Sequence, residues 1–453
     1  MSLSVIILAA GQGTRMHSDL PKVLHPLANQ PMIAHVLATA KKLQADSLHV
    51  VYGHKGELLQ TTLADEKNLH WAEQAQQLGT GHAVKQALPA VPADNKVLIL
   101  YGDVPLIAVE TLQPMATLND NTLGLLTVCL DNPTGYGRIV RDENNQVQAI
   151  VEQKETNAIQ AKINEVNTGI LSLNAKHLSH FIEQLNNDNT QGEYYLTDII
   201  DLAVKADLSI QTFNPQSEQE VLGVNNRLQL AQLERYYQQQ QAENLMQQGV
   251  TVIDPARLDI RGNVTVGRDV QLDVNVILQG NVTLGHRVKI GANTILTDVT
   301  IGDDVEILPN CLLEQATVGN GCLIGPFARL RPETQLAKNV KIGNFVEIKK
   351  SVVADGSKIS HLSYIGDSQI GKKVNIGAGT ITCNYDGVNK HQTIIGDNAF
   401  IGSDTQLIAP VTVGNGATIG AGSTITRDTP AEQLTLSRVQ QQSMPHWQRP
   451  VKK

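Results

Sequence analysis

Near the start of the chain, Gly11-Gln12-Gly13-Thr14-Arg15-Met16 is followed closely by Pro21-Lys22. A glycine-rich turn lets backbone amides approach phosphate oxygens, and two cations beside it, Arg15 and Lys22, suit a triphosphate. A dinucleotide fingerprint would need its third glycine where Met16 stands, and no Gly-Lys-Ser/Thr follows as in a phosphate-binding P-loop. A bare tight turn is the alternative for a lone Gly-X-Gly, and the two cations weigh against it. In Tyr101-Gly102-Asp103, Asp103 reads either as a turn cap or as an oxygen ligand for a hard cation.

A second set lies far downstream. Leu330, Leu336, Ile342 and Ile348 keep a six-residue register, so Arg331 and Lys349 stand eighteen residues apart in equivalent places. If eighteen residues make one coil, the two cations stack within roughly 5–7 Å. They then repel by about 1 kcal/mol or more unless an anion sits between them, and a sugar phosphate would satisfy both. A pair splayed into water is the bland alternative. His361, in Ser360-His361-Leu362-Ser363-Tyr364, falls where the register slips between Val353, Ile359, Ile365 and Ile370. A lone histidine is more often structural, but an unperturbed pKa of about 6.5 suits a general base at neutral pH.

These residues need two kinds of scaffold. Short apolar runs at Val5–Ala10, Leu48–Gly53, Val97–Tyr101 and Leu123–Leu130 read as strands buried on both faces. Helical segments at Pro31–Leu43, Gly81–Leu88 and Tyr195–Lys205 alternate with them, which predicts a twisted, mainly parallel sheet. A Gln-rich helix over Arg227–Gln248 ends at Gly249 and reads as a connector. From Val266 to about Ile425 an aliphatic residue recurs at nearly every sixth position, as in Ile301-Gly302-Asp303-Asp304-Val305-Glu306. Six fits neither a helix nor a heptad. It fits a parallel β-helix with three hexads per coil. Between Ile381 and Ile395 the loop Thr382-Cys383-Asn384-Tyr385-Asp386-Gly387 must leave the coil, and the tail after Pro430 abandons the repeat.

Composition agrees. The 453 residues exceed one ordinary core, and 4% aromatics with 36 glycines suit a narrow solenoid of Val, Ile and Leu. A net charge of -8 argues against a nucleic-acid footprint. Cys129, Cys311, Cys322 and Cys383 show neither CxxC spacing nor a disulfide framework. Val5–Ala10 is too short for a signal segment and no apolar run approaches about 18 residues, so a soluble cytoplasmic protein without a membrane partner is expected.

The glycine string with Lys22, Gln74 and Gly79-Thr80-Gly81, Tyr101-Gly102-Asp103, Gly135-Tyr136-Gly137-Arg138, Glu152, Asn167-Thr168-Gly169 and Val224-Asn225-Asn226 resembles the signature of the sugar-nucleotide pyrophosphorylases. Joined to hexad coils, the whole chain is similar to the bacterial bifunctional N-acetylglucosamine-1-phosphate uridylyltransferase/glucosamine-1-phosphate acetyltransferases. The resemblance implies an α/β Rossmann-like nucleotidyltransferase domain over residues 1–226, a linker helix over 227–249, and a left-handed parallel β-helix acetyltransferase domain over 250–453. It implies that Leu8, Ala9, Ala10, Gly11 through Arg15, Lys22, Tyr101 and Gly102 surround UTP, with Arg15 and Lys22 catalytic. Gln74, Gly79 and Thr80 would read the uracil, Gly137, Glu152 and Asn167 the amino sugar, and Asp103 and Asn225 would hold Mg2+. In the coils it implies Arg331, Lys349, Tyr364 and Asn375 for glucosamine 1-phosphate, and His361 as general base. Ala378, Asn384, Tyr385, Ser403, Ala421 and Arg438 would bind acetyl-CoA. It also implies a cytoplasmic homotrimer serving cell-wall and lipopolysaccharide synthesis. A nucleotidyltransferase whose coils only trimerise it, or a non-catalytic β-helix scaffold, leaves either the Arg331/Lys349 stack or the Lys22, Asp103 and Asn225 set unexplained.

Overall fold

The computed structural model describes residues 2–452 and divides into two compact units between Tyr237 and Gln238. In the first, nine of the described strands form one sheet. Its main path runs Ser209–Phe213, Thr122–Cys129, Glu165–Asn174, Lys96–Tyr101, Leu3–Leu8, Ser47–Tyr52 and Leu69–Glu73. Leu3–Leu8 lies parallel to both of its neighbours, and Glu165–Asn174 antiparallel to all three strands it pairs with, Arg138–Arg141 among them. Leu3–Leu8 is buried throughout because its faces pack on different clusters. Val5 and Ile7 join Ile33, Val36 and Leu37 on one side; Ile6 and Leu8 join Val84, Ala87 and Phe181 on the other. The mainly parallel, doubly covered sheet is as expected.

Several details differ from the sequence reading. The first strand stops at Leu8, so Ala9 and Ala10 already belong to the glycine turn. Tyr195–Lys205 resolves into a 3-10 turn at Leu196–Asp198 and a helix at Ile199–Lys205. The central strand Glu165–Asn174 has no counterpart in the sequence reading. Its register shifts between Asn167 and Leu171, and Gly169 has φ +85°, so an apolar run is visible only from Ile170.

The helix Arg227–Gln247 is shared between the units. Leu233 joins Met16, Leu27, Met32 and Val224 in a cluster of the first unit. Ala242 and Leu245 join the solenoid core of the second. There Gln238 accepts from Ile260 N at 2.6 Å and donates to Ile260 O at 2.9 Å, as a neighbouring strand would.

The second unit is a parallel β-helix whose aliphatic residues stack inward, from Leu258 to Ile425. Its coils are not uniform. Leu330 pairs with Ile348, eighteen residues on; Ile342 pairs with Ile359, seventeen on; Ile376 pairs with Ile401, twenty-five on. The shorter coils drop one residue at a corner, where Asp298, Gln315, Lys350 and Asp367 take positive φ. The slip around His361 is therefore a seventeen-residue coil whose pairing is intact. Cys383, read as a loop thiol, instead ends the strand Ile381–Cys383 and is half-buried.

Candidate active sites

The carboxyl ends of Leu3–Leu8 and Lys96–Tyr101 open on a cavity of about 260 Å3. Leu8, Ala9, Ala10, Gly11, Lys22, Gln74, Gly79, Thr80, Tyr101 and Asp103, all singled out in the sequence, line it together with Gln77 and Glu193. A Cβ on Gly13 would lie 2.6 Å from Lys22 Cβ, and its φ of +63° also favours glycine, so the turn folds tightly onto the lysine. Gln74 is buried; its amide donates to Gly79 O at 3.0 Å and meets His82 Nδ1 at 3.1 Å. Gly102 N donates to Leu8 O at 2.9 Å, tying the turn beside Asp103 to the first strand.

Lys22 Nζ forms an ion pair with Asp103 Oδ2 and donates to Asn225 Oδ1 at 3.2 Å. Arg15 Nη2 donates to the same Asn225 oxygen at 2.9 Å. One cation thus already sits between the two oxygen donors expected to take Mg2+, and a hard, oxygen-seeking ion fits this donor pair.

Gly137, Glu152 and Asn167 are brought together beside Tyr101. Asn167 N donates to Gly137 O at 2.9 Å, and a Cβ on Gly137 would stand 3.4 Å from Glu152 Oε1. The Tyr101 ring lies on Gly169, where a Cβ would come within 2.6 Å of it. Burial raises the Glu152 carboxyl above its usual range, Glu155 adds to this, and the Thr197 hydroxyl, donating at 3.2 Å, opposes it. Burial, with Asp103 and Glu152 nearby, raises the Tyr101 phenol. Nearby Asp198 is pushed up to about 6, first by burial and then by Glu155, Glu152 and Asp201. Thr197 and Asp198 carried no signal in the sequence.

In the second unit Leu330 pairs with Ile348, which places Arg331 and Lys349 in equivalent positions on adjacent coils. They are not two bare cations. Arg331 Nη1 donates to Glu347 Oε1 at 2.8 Å, so Glu347 neutralises one member of the stack. The Lys349 ammonium is pushed below the usual lysine range, first by the Lys390 side chain against it, then by desolvation and by Arg331, with Asp367 opposing. Lys390, which the hexad pattern does not reach, is the third cation of the group. The only sequence signal was its place in the excursion.

His361 is exposed, and its Nδ1 meets Asn344 Oδ1 at 2.7 Å. A Cβ on Gly366 would lie 2.6 Å from Tyr364 Oη and 2.8 Å from Asn384 Nδ2, so Tyr364 and Asn384 converge over that glycine. Ala378, Ser403 and Ala421 each follow by two residues the paired Ile376, Ile401 and Ile419, forming one column over three coils. Arg438 Nη1 donates to Ala421 O at 2.9 Å, bringing the tail back to this column. Asn375 pairs with Lys358 and Phe400. Tyr385 is exposed at the base of the excursion.

A glycine turn closed onto Lys22, which bridges Asp103 and Asn225 at the carboxyl ends of parallel strands, is the arrangement of a nucleotidyltransferase; the hexad coils add a second, acyltransferase-type scaffold. Residues 5–252 match the MobA-like NTP transferase domain family, and residues 263–298, 315–350 and 392–427 match the bacterial transferase hexapeptide family. A protein of Marinobacter nauticus named bifunctional protein GlmU is 57% identical over 451 residues, 99% of each chain. The chain belongs to the GlmU family of bifunctional proteins. Among solved structures, a UDP-glucose pyrophosphorylase bound to UDP-glucose is 16% identical, with TM-score 0.44 over 52% of this chain and 98% of that one. A nucleotidyl transferase from Methanothermobacter thermautotroptrophicus is 16% identical, with TM-score 0.38 over 52% and 97%. Among the described residues, no helix is long and apolar enough to cross a membrane.

Proposed function

We propose that the chain makes UDP-N-acetylglucosamine by two reactions at separate sites. At the coil site glucosamine 1-phosphate is acetylated by acetyl-CoA; at the sheet site UMP passes from UTP to N-acetylglucosamine 1-phosphate, releasing pyrophosphate. The observation that carries the bifunctional reading is His361 held by Asn344 on the solenoid that bears Arg331, Lys349 and Lys390. Coils serving only assembly would need no such group.

At the coil site the three cations take the sugar phosphate, with Tyr364 and Asn375 on the sugar. Asn344 Oδ1 can only accept, so Nδ1 of His361 carries the proton and Nε2 is the free base. Nε2 takes a proton as the amine attacks the thioester: the N–C bond forms, the C–S bond breaks, and CoA leaves as the thiol once protonated. Asn384, Tyr385, the Ala378, Ser403 and Ala421 column and Arg438 line the acetyl-CoA side. At the sheet site Gly11 through Arg15 and Lys22 cradle the triphosphate, Gln74, Gly79 and Thr80 take the uracil, and Gly137, Glu152 and Asn167 hold the acetylated sugar. A sugar phosphate oxygen attacks the α-phosphorus in line and pyrophosphate departs, with Arg15 and Lys22 balancing its charge. Asp103 and Asn225 would hold Mg2+, which supplies further charge neutralisation when bound.

The protein is read as a cytoplasmic homotrimer. Phe327 and Phe345 stack at 5.2 Å and are 49% and 55% exposed, in line with Leu362 at 62%. At the same corner earlier coils carry Asn275, Asn293 and Asn310, so three exposed bulky apolar residues there support covering by another copy beside His361. Purified protein given acetyl-CoA and glucosamine 1-phosphate, then UTP and Mg2+, tests the whole reading. Uridylyl transfer without acetyl transfer would leave a monofunctional enzyme with structural coils.

A further inference from the structure

The excursion that lengthens the coil between Ile376 and Ile401 is a small hairpin with its own internal bonds. His391 N donates to Asn384 O at 2.8 Å, Asp386 N donates to Asn389 O at 3.2 Å, and Tyr385 bridges Lys390 across the turn. The Asp386 carboxylate is its hub. It accepts from His391 Nε2 at 2.7 Å, Asn389 N at 2.6 Å and Val388 N at 2.8 Å. These bonds, His391 first, hold it well below the usual carboxylate range.

The base of the hairpin is tied to the coil next to Lys349. Asn384 Nδ2 donates to Asp367 Oδ2, and Asp367 N donates to Lys349 O at 3.0 Å. Beyond this base the hairpin has little apolar anchorage; Val388 at its tip is 84% exposed. Yet Lys390 bridges Tyr385 and precedes His391, whose N–H returns to Asn384 O, and Asn384 is bonded to Asp367 beside Lys349, so the hairpin's return carries the Lys390 ammonium toward another cation. Like charges in contact push a flexible arm outward, so something must hold it in.

We propose that Asp386 and His391 are positioning residues for acetyl transfer: their bond staples the hairpin closed, so that Lys390 is held over Lys349 as the third cation of the phosphate seat. The staple meets the cost of gathering the cations before substrate arrives, and binding gains from that preorganisation. This inference rests on the reading of Arg331, Lys349 and Lys390 as the glucosamine 1-phosphate seat.

Steady-state acetyl transfer by the full chain tests it, with His391→Ala, Asp386→Ala, the double variant, His391→Gln and Lys349→Ala. His391→Ala should raise KM for glucosamine 1-phosphate about 3- to 10-fold, with kcat and acetyl-CoA KM nearly unchanged. The double variant should be no worse than the worse single one. His391→Gln, which still has an N–H to offer Asp386, should restore most of the loss. Uridylyl transfer by the same preparations reports folding. If Lys349→Ala raises the sugar phosphate KM and His391→Ala does not, the staple is wrong and the seat stands. A rise in both KM values, or no rescue by glutamine, also overturns the staple. If Lys349→Ala itself leaves that KM unchanged, the seat reading fails, and the staple with it.

Discussion

Asn344 and His361 are cross-strand partners on successive coils, and Asn344 Oδ1 meets His361 Nδ1 at 2.7 Å. The contact sets which imidazole nitrogen carries the proton and which way the ring points. Ser363, two residues on, bonds back to the His361 carbonyl at 2.8 Å and steadies its backbone.

His361→Ala should lower acetyl-transfer turnover by about 10²–10⁴-fold with sugar binding largely kept. Its residual rate should climb with pH, because free amine then forms without help. Asn344→Ala should cost less, about 10- to 100-fold in kcat, since the base remains but its tautomer and orientation are released. Full activity of His361→Ala at neutral pH would return this histidine to a structural role.

Lys349→Ala should weaken glucosamine 1-phosphate binding by roughly 10- to 150-fold, the worth of a charge-assisted phosphate contact. Acetyl-CoA binding should change little. Calorimetric titration of each substrate separates the two.

Asp103→Ala should abolish uridylyl transfer and leave acetyl transfer near wild type, because only the phosphoryl site is read as using the divalent ion. Chelation of the intact protein gives the same comparison without mutation. Equal loss of both activities on chelation would refute the assignment of Mg2+ to one site.

Burial, with Glu155, Glu152 and Asp201 nearby, pushes the Asp198 carboxyl up to about 6 in the folded state, above the usual aspartate range. A raised carboxyl favours the folded state fully below about pH 4, and that contribution is lost as pH rises through 6. Asp198→Asn should therefore melt higher than wild type at pH 7.5, by about 1–3 kcal/mol of stability, and show no gain at pH 4. Thermal denaturation of the first unit at the two pH values checks the sign.

The two activities should be separable. A fragment ending after Tyr237 keeps Leu233 in its cluster with Met16 and Val224 and should retain uridylyl transfer alone. One ending at Asn226 removes Leu233 and should be less stable by about 2–5 kcal/mol. A folded longer fragment without uridylyl transfer would count against independent sites.

Periodicity and spacing along the chain determined the solenoid, the parallel sheet and the glycine turn that meets Lys22, because each is a local pattern that repeats or sits beside its partner in sequence. The eighteen-residue ruler also placed Arg331 over Lys349, where the coil has that length. It failed one coil later. His361 lies seventeen residues after Asn344, and an eighteen-residue step would have pointed to Gly343. The central strand Glu165–Asn174 escaped for a related reason: its bulge and positive-φ Gly169 interrupt the apolar run. Glu347 on Arg331, Lys390 on Lys349 and Thr197 on Glu152 are pairings that only the folded chain decides. Glu347 reaches Arg331 diagonally across a full-length coil, Lys390 comes in on an inserted hairpin, and Thr197 meets Glu152 from a distant segment, and no periodic signal records how those close in space.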